Sequence, residues 1–315
     1  MIAIWQDVFA QPLPPGGALA IGNFDGVHIG HQEVLRALHA AARTLGSPAA
    51  VLVPDPHPMA VLGKPPQILT PLPERGRLLR RYGAEALLRL PFDRELASMQ
   101  PEEFVERVLL GWIRPARVVV GFNFSYGKAA RGDAQSLWAQ LGEHGVAVDV
   151  VAPALAAGGT VSSSRVREAL AHGDMAAARA MLGRDFLVRG TVLPGAQRGR
   201  TLGFPTANVH CAADQALPCE GVYAVRCLLG GQIVDGAASL GPRPTFDEDA
   251  PLLEVHLLDF AGDIYGQELA VSFAARLRGI ERYTSADALR AQIAQDCVDA
   301  RNALAVATVS DDMLG

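Results

Sequence analysis

The 315-residue sequence predicts an α/β chain of two domains: a doubly wound parallel sheet, then a small β-barrel closed by a helix. Three observations carry this. Short apolar runs alternate with segments of helical periodicity as far as Leu182. From Arg184 onward strands, turns and glycines follow one another without interleaved helices. A long stripe of Leu289, Ile293, Cys297, Ala300 and Leu304 then returns at helical spacing to cover the barrel. The length suffices for two cores, and the composition places the boundary between 1–184 and 185–315.

Residues 19–31, LAIGNFDGVHIGH, organise the first half. The apolar run 19–21 ends at Gly22, and residues 32–45 put Val34, Leu35, Leu38, Ala41, Ala42 and Leu45 on one face. A strand, a turn and a helix packed on a sheet are expected. His28 and His31 would project from the same side of the first helical turn, where unpaired backbone N–H groups and the positive end of the helix dipole favour an anion. Gly30 between them lets a phosphate or nucleobase approach the backbone. Residues 49–53 form the next strand, which should stop at PDPHP (54–58) because proline breaks a sheet interior. That leaves His57 at the carboxyl edge, where open α/β sheets bind ligands.

Helix 74–82, strand 86–90, helix 101–110 and strand 117–120 continue the alternation. The last strand enters GFNFSYGKAARGD, residues 121–133. This loop could close over a nucleotide with Asn123 as an amide partner and Lys128 and Arg131 near phosphates, or serve only as a long turn. After strand 146–151, VSSSRVR (161–167) opens a helix, with Ser162, Ser163 and Ser164 as capping hydroxyls and Arg165 and Arg167 beside them. Residues 169–182 read as helix up to a stop at Gly183.

In the second half, strand 186–192 leads into PGAQRGRTLGFPTANV, residues 194–209. Gly195, Gly199 and Gly203 permit a tight backbone around a phosphate beside Arg198 and Arg200. Thr206 and Asn208, two apart, turn two oxygens to one side of an extended segment. They form a metal or phosphate grip, or are common turn residues after Pro205. Strands 221–229 and 233–240 flank a Gly230, Gly231 hairpin. LLEVHLLDF, residues 252–260, alternates so that Glu254, His256 and Leu258 share a face. A carboxylate among apolar neighbours needs a partner, and burial would raise its pKa toward that of a general base. Strand 269–273 and helix 286–304, capped by Thr284 or Ser285, complete the chain.

Composition narrows the function. The hydrophobic fraction of 50% and charged fraction of 19% describe a globular protein, and a net charge of −5 with 28 Lys+Arg gives no field for wrapping nucleic acid. Cys211, Cys219, Cys227 and Cys297 form no CxxC pair, so reduced thiols are expected. The opening MIAIWQDVFA has no basic leader and no run of about 18 apolar residues occurs, so a cytoplasmic protein is expected. A GxxxxGK[ST] loop is absent, as is an evident nucleophile in the first half. In-line nucleotidyl transfer, with an incoming phosphate attacking the α-phosphorus of a nucleoside triphosphate, fits that half best.

GNFDGVHIGH, the DPHP turn, the GFNFSYG loop and SSSRVR, in that order, resemble the adenylyltransferase module of the bacterial bifunctional riboflavin kinase/FAD synthetases. GTVLPGAQRGRTLGFPTAN at 190–208, GVYAV at 221–225, GPRPTF at 241–246 and EVHLLDF at 254–260 resemble the riboflavin kinase module of the same enzymes. The resemblance implies a Rossmann-like nucleotidyltransferase domain and a six-stranded Greek-key-type barrel with a closing helix. It implies phosphorylation of riboflavin to FMN by the second domain and adenylylation of FMN to FAD, with release of pyrophosphate, by the first. On that analogy Glu254 is the general base, and Thr206 with Asn208 holds Mg²⁺ and phosphates. Gly195, Arg200, Gly203 and Pro205 then line the nucleotide loop. His28 and His31 are the catalytic pair of the first domain, with Gly22, Phe24, Asp25, Gly30, His57, Asn123, Ser162, Ser163 and Arg167 around the nucleotide or flavin. The implied cofactor is Mg²⁺ with ATP as co-substrate. The implied partners are riboflavin, FMN, FAD and ATP, with no nucleic acid, no membrane, and a monomer or weak oligomer.

Pro54, Ser164, Ala129, Ala130 and Ile280 depart from the commoner family pattern, and the missing arginine near Ala130 bears on the adenylyl step. A kinase with a degenerate first module is the nearest rival. A flavin or nucleotide sensor regulating RNA would want a basic stripe, and an aminoacyl-tRNA synthetase fragment a lysine-rich second signature; the sequence has neither.

Overall fold

A computed structural model describes residues 6–7, 15–195, 199, 202–241 and 252–307. The chain divides into two compact units, Met1–Ser162 and Ser163–Gly315.

In the first unit β1 (Gln6–Asp7), β2 (Ala18–Ile21), β3 (Ala49–Asp55), β4 (Ala86–Pro91), β5 (Arg117–Gly121) and β8 (Ala147–Val151) form one parallel sheet of order β1-β4-β3-β2-β5-β8. Both faces are covered, as a wholly parallel sheet requires. Ala18, Ala20, Val51 and Val119 pack on the side of α1 (Ile29–Leu45), whereas Leu19, Leu52, Val118 and Val120 meet the opposite core. Alternate residues of one strand thus serve two layers. α1 buries Val34, Leu35, Leu38, Ala41 and Ala42 as its spacing predicts, but Leu45 is 39% exposed, because Gly46 ends the helix in the left-handed conformation there.

Short α2 (Pro58–Val61), then α3 (Leu72–Arg81), α4 (Arg94–Ser98) and α5 (Pro101–Phe104) fill the crossovers. α5 passes into a π-helical stretch, Val105–Ile113, where one plain helix was expected. β3 also runs two residues beyond its expected stop. Pro54 and Asp55 still pair with Leu90 and Pro91 of β4, while the last pair between β2 and β3 is Ile21 with Leu52. Proline is tolerated there because β2 has already ended, so no neighbour on that side asks for its missing N–H. The 121–133 loop holds a β6 (Ser125–Tyr126) to β7 (Gly132–Asp133) pair before α6 (Ala134–Glu143). β9 (Leu155–Ala156) and β10 (Gly159–Thr160) form a second small hairpin.

The second unit opens with α7 (Ser163–His172) and α8 (Met175–Leu182). The expected single helix over 169–182 is broken at Gly173, whose φ of +72° precedes Asp174, the cap that accepts from Ala177 N–H at 2.9 Å. Gly183 is the left-handed stop. α8 packs on barrel strands, so the compact unit begins before these helices, whereas the composition shift lies after them.

β11 (Phe186–Leu193), β12 (Ala207–His210), β13 (Gly221–Leu229), β14 (Gln232–Gly241), β15 (Leu252–Leu257) and β16 (Glu268–Arg278) close into an antiparallel barrel of order β11-β12-β15-β14-β13-β16. β12 lies beside β15, outside the consecutive β13-β14-β15 meander, which is a Greek-key arrangement. β16 outruns its expected span because residues 274–278 keep pairing with β13 across two register shifts. The closing helix Ala286–Val306, capped by Ser285, places Ala300 and Leu304 against Ala224, Ala237 and Leu258. Buried Arg226 donates to the carbonyls of Leu304 and Ala307, each at 2.7 Å, satisfying the end of that helix. All four cysteines are free thiols. No helix among the described residues is long and apolar enough to cross a membrane.

Candidate functional sites

The strand order brings three loops of the first unit together. β2 lies between β3 and β5, so the turn after β2, His57 after β3 and Asn123 after β5 share the carboxyl edge of the sheet. His28 is the N-cap of α1, and its Nδ1 accepts the backbone N–H of His31 at 3.3 Å. Its ring stacks on that of His31 with centroids 3.6 Å apart and planes 14° from parallel. Phe24 leans on His31 from 5.1 Å. Gly30 lies close beneath this stack, where a Cβ would come within 3.2 Å of the His28 ring.

Two tautomers follow from these caps. A neutral imidazole whose Nδ1 accepts must carry its proton on Nε2. His28 meets that condition, and so does His57, whose Nδ1 accepts from Met59 N–H at 3.2 Å. Each therefore carries its proton on Nε2. No acidic residue in the first turn of α1 opposes the dipole there. The combination suits phosphate oxygens. Asn123 is exposed, whereas Asp25 is 1% exposed and its carboxylate accepts from the backbone N–H groups of Leu69 and Thr70. Ser162 closes the first unit; Ser163 and Arg167 lie on α7 of the second, both half-buried.

In the barrel, Asn208 and Glu254 are cross-strand partners on β12 and β15. With its amide turned so that both atoms find partners, Asn208 donates to Glu254 Oε1 at 3.2 Å, and its oxygen accepts from Gly195 N–H at 3.3 Å. The expected partner of the half-buried carboxylate is thus an amide two residues from Thr206. A Cβ at Gly195 would displace the Asn208 amide, and glycine is required at 199 because a Cβ would strike the Phe204 carbonyl and come within 3.1 Å of Thr206 Oγ1. Gly199 O accepts from Leu202 and Phe204 N–H at 3.1 and 2.9 Å, which holds Gly199 beside Thr206. Gly195 and Gly199 therefore lie beside two oxygen-bearing side chains. Such donors, with phosphates and waters, fit Mg²⁺, which usually takes only one or two protein oxygens. Arg198, Arg200 and residues 242–246 lie outside the described residues.

Three supports were not evident from the sequence. His256 Nδ1 bonds the carbonyl of Pro205 at 2.8 Å, with Phe204 edge-on at 5.5 Å. Arg290 on the closing helix donates to Leu202 O at 3.0 Å, and Gly203 lies beneath its guanidinium. Only the placement of His256 two residues from Glu254 hinted at the first. Leu258, expected on the Glu254 face, lies past the end of β15 and is buried, its N–H donating to Asp235 O.

Comparison with known proteins gives the family of each half. The sequence pattern of the FAD synthetase family matches residues 10–165, and that of the riboflavin kinase family matches residues 182–304. The chain is 38% identical to a bifunctional riboflavin kinase/FMN adenylyltransferase of Escherichia coli (strain K12), covering 93% of this chain and 94% of the relative. It is 34% identical to the Bacillus subtilis (strain 168) protein of the same description, covering 88% and 89%. A solved structure from Streptococcus pneumoniae, described as a macrolide-efflux protein, superimposes with a TM-score of 0.87 at 31% identity, covering 95% of this chain and 99% of that one.

Proposed function

The chain belongs to the bifunctional riboflavin kinase/FMN adenylyltransferase family, and from that premise we propose which of its residues do the chemistry. It phosphorylates riboflavin to FMN and adenylylates FMN to FAD, with the FAD synthetase part first in the chain and the riboflavin kinase part second. ATP serves both steps, and the functional boundary falls between 1–184 and 185–315.

In the kinase half, Glu254 accepts the proton of the ribityl 5′-hydroxyl as that oxygen attacks the γ-phosphorus of ATP; the bond to the β-bridging oxygen breaks and ADP leaves. The amide of Asn208 fixes Glu254 Oε1, so the carboxylate meets the hydroxyl in one orientation. Thr206 and Asn208 hold Mg²⁺, and Gly195, Gly203 and Pro205 line the phosphate loop. When bound, Mg²⁺ supplies neutralisation of phosphate charge. Positioning and charge compensation suffice for such a transfer.

In the adenylyltransferase half, a phosphate oxygen of FMN attacks the α-phosphorus of ATP, the bond to the bridging oxygen breaks, and pyrophosphate departs. His28 and His31 stabilise the charge that builds on the phosphates, assisted by the N-terminus of α1 and by His57. Gly22, Phe24 and Gly30 shape the turn, Asn123 meets the nucleotide or flavin, and Ser162 contributes a further phosphate contact. The protein works in the cytoplasm as a monomer or weak oligomer, on small molecules and not on nucleic acid or membrane.

The hydrogen bond between Asn208 and Glu254, beside Gly195, supports this reading most strongly. Purified protein given riboflavin, ATP and Mg²⁺ should yield FMN and then FAD by chromatography. FMN accumulating without FAD would remove the first half of the proposal, and absence of any turnover would remove both.

A further inference from the structure

The turn that presents His28 is not fixed by its own residues alone. Phe24 and Val27 have φ of +50° and +41°, flanking Gly26 at +83°. Non-glycine residues hold such a conformation only where their surroundings over-determine it. The surroundings are a segment 44 residues further along the chain. Asp25 accepts from Leu69 N–H at 3.2 Å and from Thr70 N–H at 3.0 Å. The Thr70 hydroxyl accepts from Gly26 N–H at 2.6 Å. Arg75 donates to Asn23 O at 2.9 Å and, through Nε and Nη2, to Thr70 O at 3.2 and 2.9 Å. Its Nη2 also lies 3.5 Å from Asp25 Oδ1.

Asp25, Thr70 and Arg75 are 1%, 3% and 4% exposed. An ion pair this deeply buried is a poor source of net stability, but it specifies one arrangement of the segments it joins. The planar guanidinium of Arg75 forks between two backbone carbonyls, a task a lysine ammonium does not reproduce. The turn so fixed delivers the chain to His28 at the angle that lets Nδ1 cap α1 and the ring stack on His31.

We infer that Thr70 and Arg75, acting with Asp25, are positioning residues for adenylyl transfer: they lock residues 23–27 from beneath so that the His28–His31 pair is preset. Asp25 thereby acts through the turn and not on the nucleotide. The inference rests on the proposed role of His28 and His31, and the experiment separates the two.

Thr70→Val keeps side-chain volume and removes the acceptor for Gly26 N–H, whereas Thr70→Ser retains it. Thr70→Val should lower kcat for FAD formation about 10- to 100-fold, the scale of a small misplacement of catalytic groups, with KM for FMN little changed. The ¹⁵N signals of the His28 and His31 imidazoles should move, and FMN formation by the same chain should not. Thr70→Ser should restore both kcat and the signals. If Thr70→Val loses the thermal transition of the first unit, Arg75→Lys carries the same expectation. Unchanged kcat in Thr70→Val and Arg75→Lys, alongside an inactive His31→Ala, would overturn the inference. An active His31→Ala would overturn the reading beneath it.

Discussion

Ala129 and Ala130, in the loop that follows β5, adopt φ of +55° and +54°. Their Cβ atoms crowd the backbone in this left-handed region, which costs an L-residue roughly 1–2 kcal/mol. Ala129→Gly removes that cost while giving the unfolded chain more freedom, so a net gain of about 0.5–1 kcal/mol is expected from denaturant titration of the first unit. An equal or lower midpoint would show that the alanine is accommodated without strain. Neighbouring Gly127 has the opposite constraint: at φ +69°, a Cβ would stand 2.8 Å from Pro101 N. Alanine at position 129 thus bears on stability more directly than on which reaction is catalysed.

At the scale of the element, α6 shows how a cap links local sequence to pH. Asp133 Oδ1 accepts Ser136 N–H at 2.7 Å, and Ser136 Oγ accepts Asp133 N–H at 2.9 Å, a reciprocal box. These bonds, the backbone N–H of Ser136 foremost, hold the Asp133 carboxyl below its ordinary value. A lowered folded pKa means that the stabilisation is complete above the unfolded pKa of about 3.9 and is lost as pH falls through the folded one. Asp133→Asn should therefore unfold at a lower temperature than wild type at pH 7. The gap should close as pH drops below about 4. A gap constant across that range would assign the effect to something other than the carboxylate.

The same scale shows what the sequence could and could not disclose. Apolar periodicity located α1, the parallel strands and the closing helix because burial on a face leaves a period behind. It missed the break at Gly173, where alanine-rich flanks look helical on both sides, and the continuation of β3 through Pro54, which depends on where a neighbouring strand stops. At the sites, His28 with His31 and Thr206 with Asn208 were legible because their spacing is short. The Thr70–Arg75 clamp and the reach of Arg290 to Leu202 were not, since contacts 44 and 88 residues apart leave no local pattern.

At the scale of the whole molecule, two unrelated architectures solve related problems. A parallel sheet gathers strand-end loops at one edge, where, in the proposed mechanism, a helix N-terminus and imidazoles meet phosphate. A barrel instead sets an amide and a carboxylate face to face across adjacent strands, beside Gly195. Neither needs a strongly charged surface, consistent with a net charge of only −5. The most direct measurement compares the products formed by two variants of the full chain. His31→Ala should make FMN at the wild-type rate and lose FAD formation by about 100-fold or more. Glu254→Gln should convert supplied FMN to FAD normally and lose riboflavin phosphorylation by roughly 100- to 10,000-fold. If either variant, folded by circular dichroism, loses both products or neither, the two reactions do not have the separate sites described.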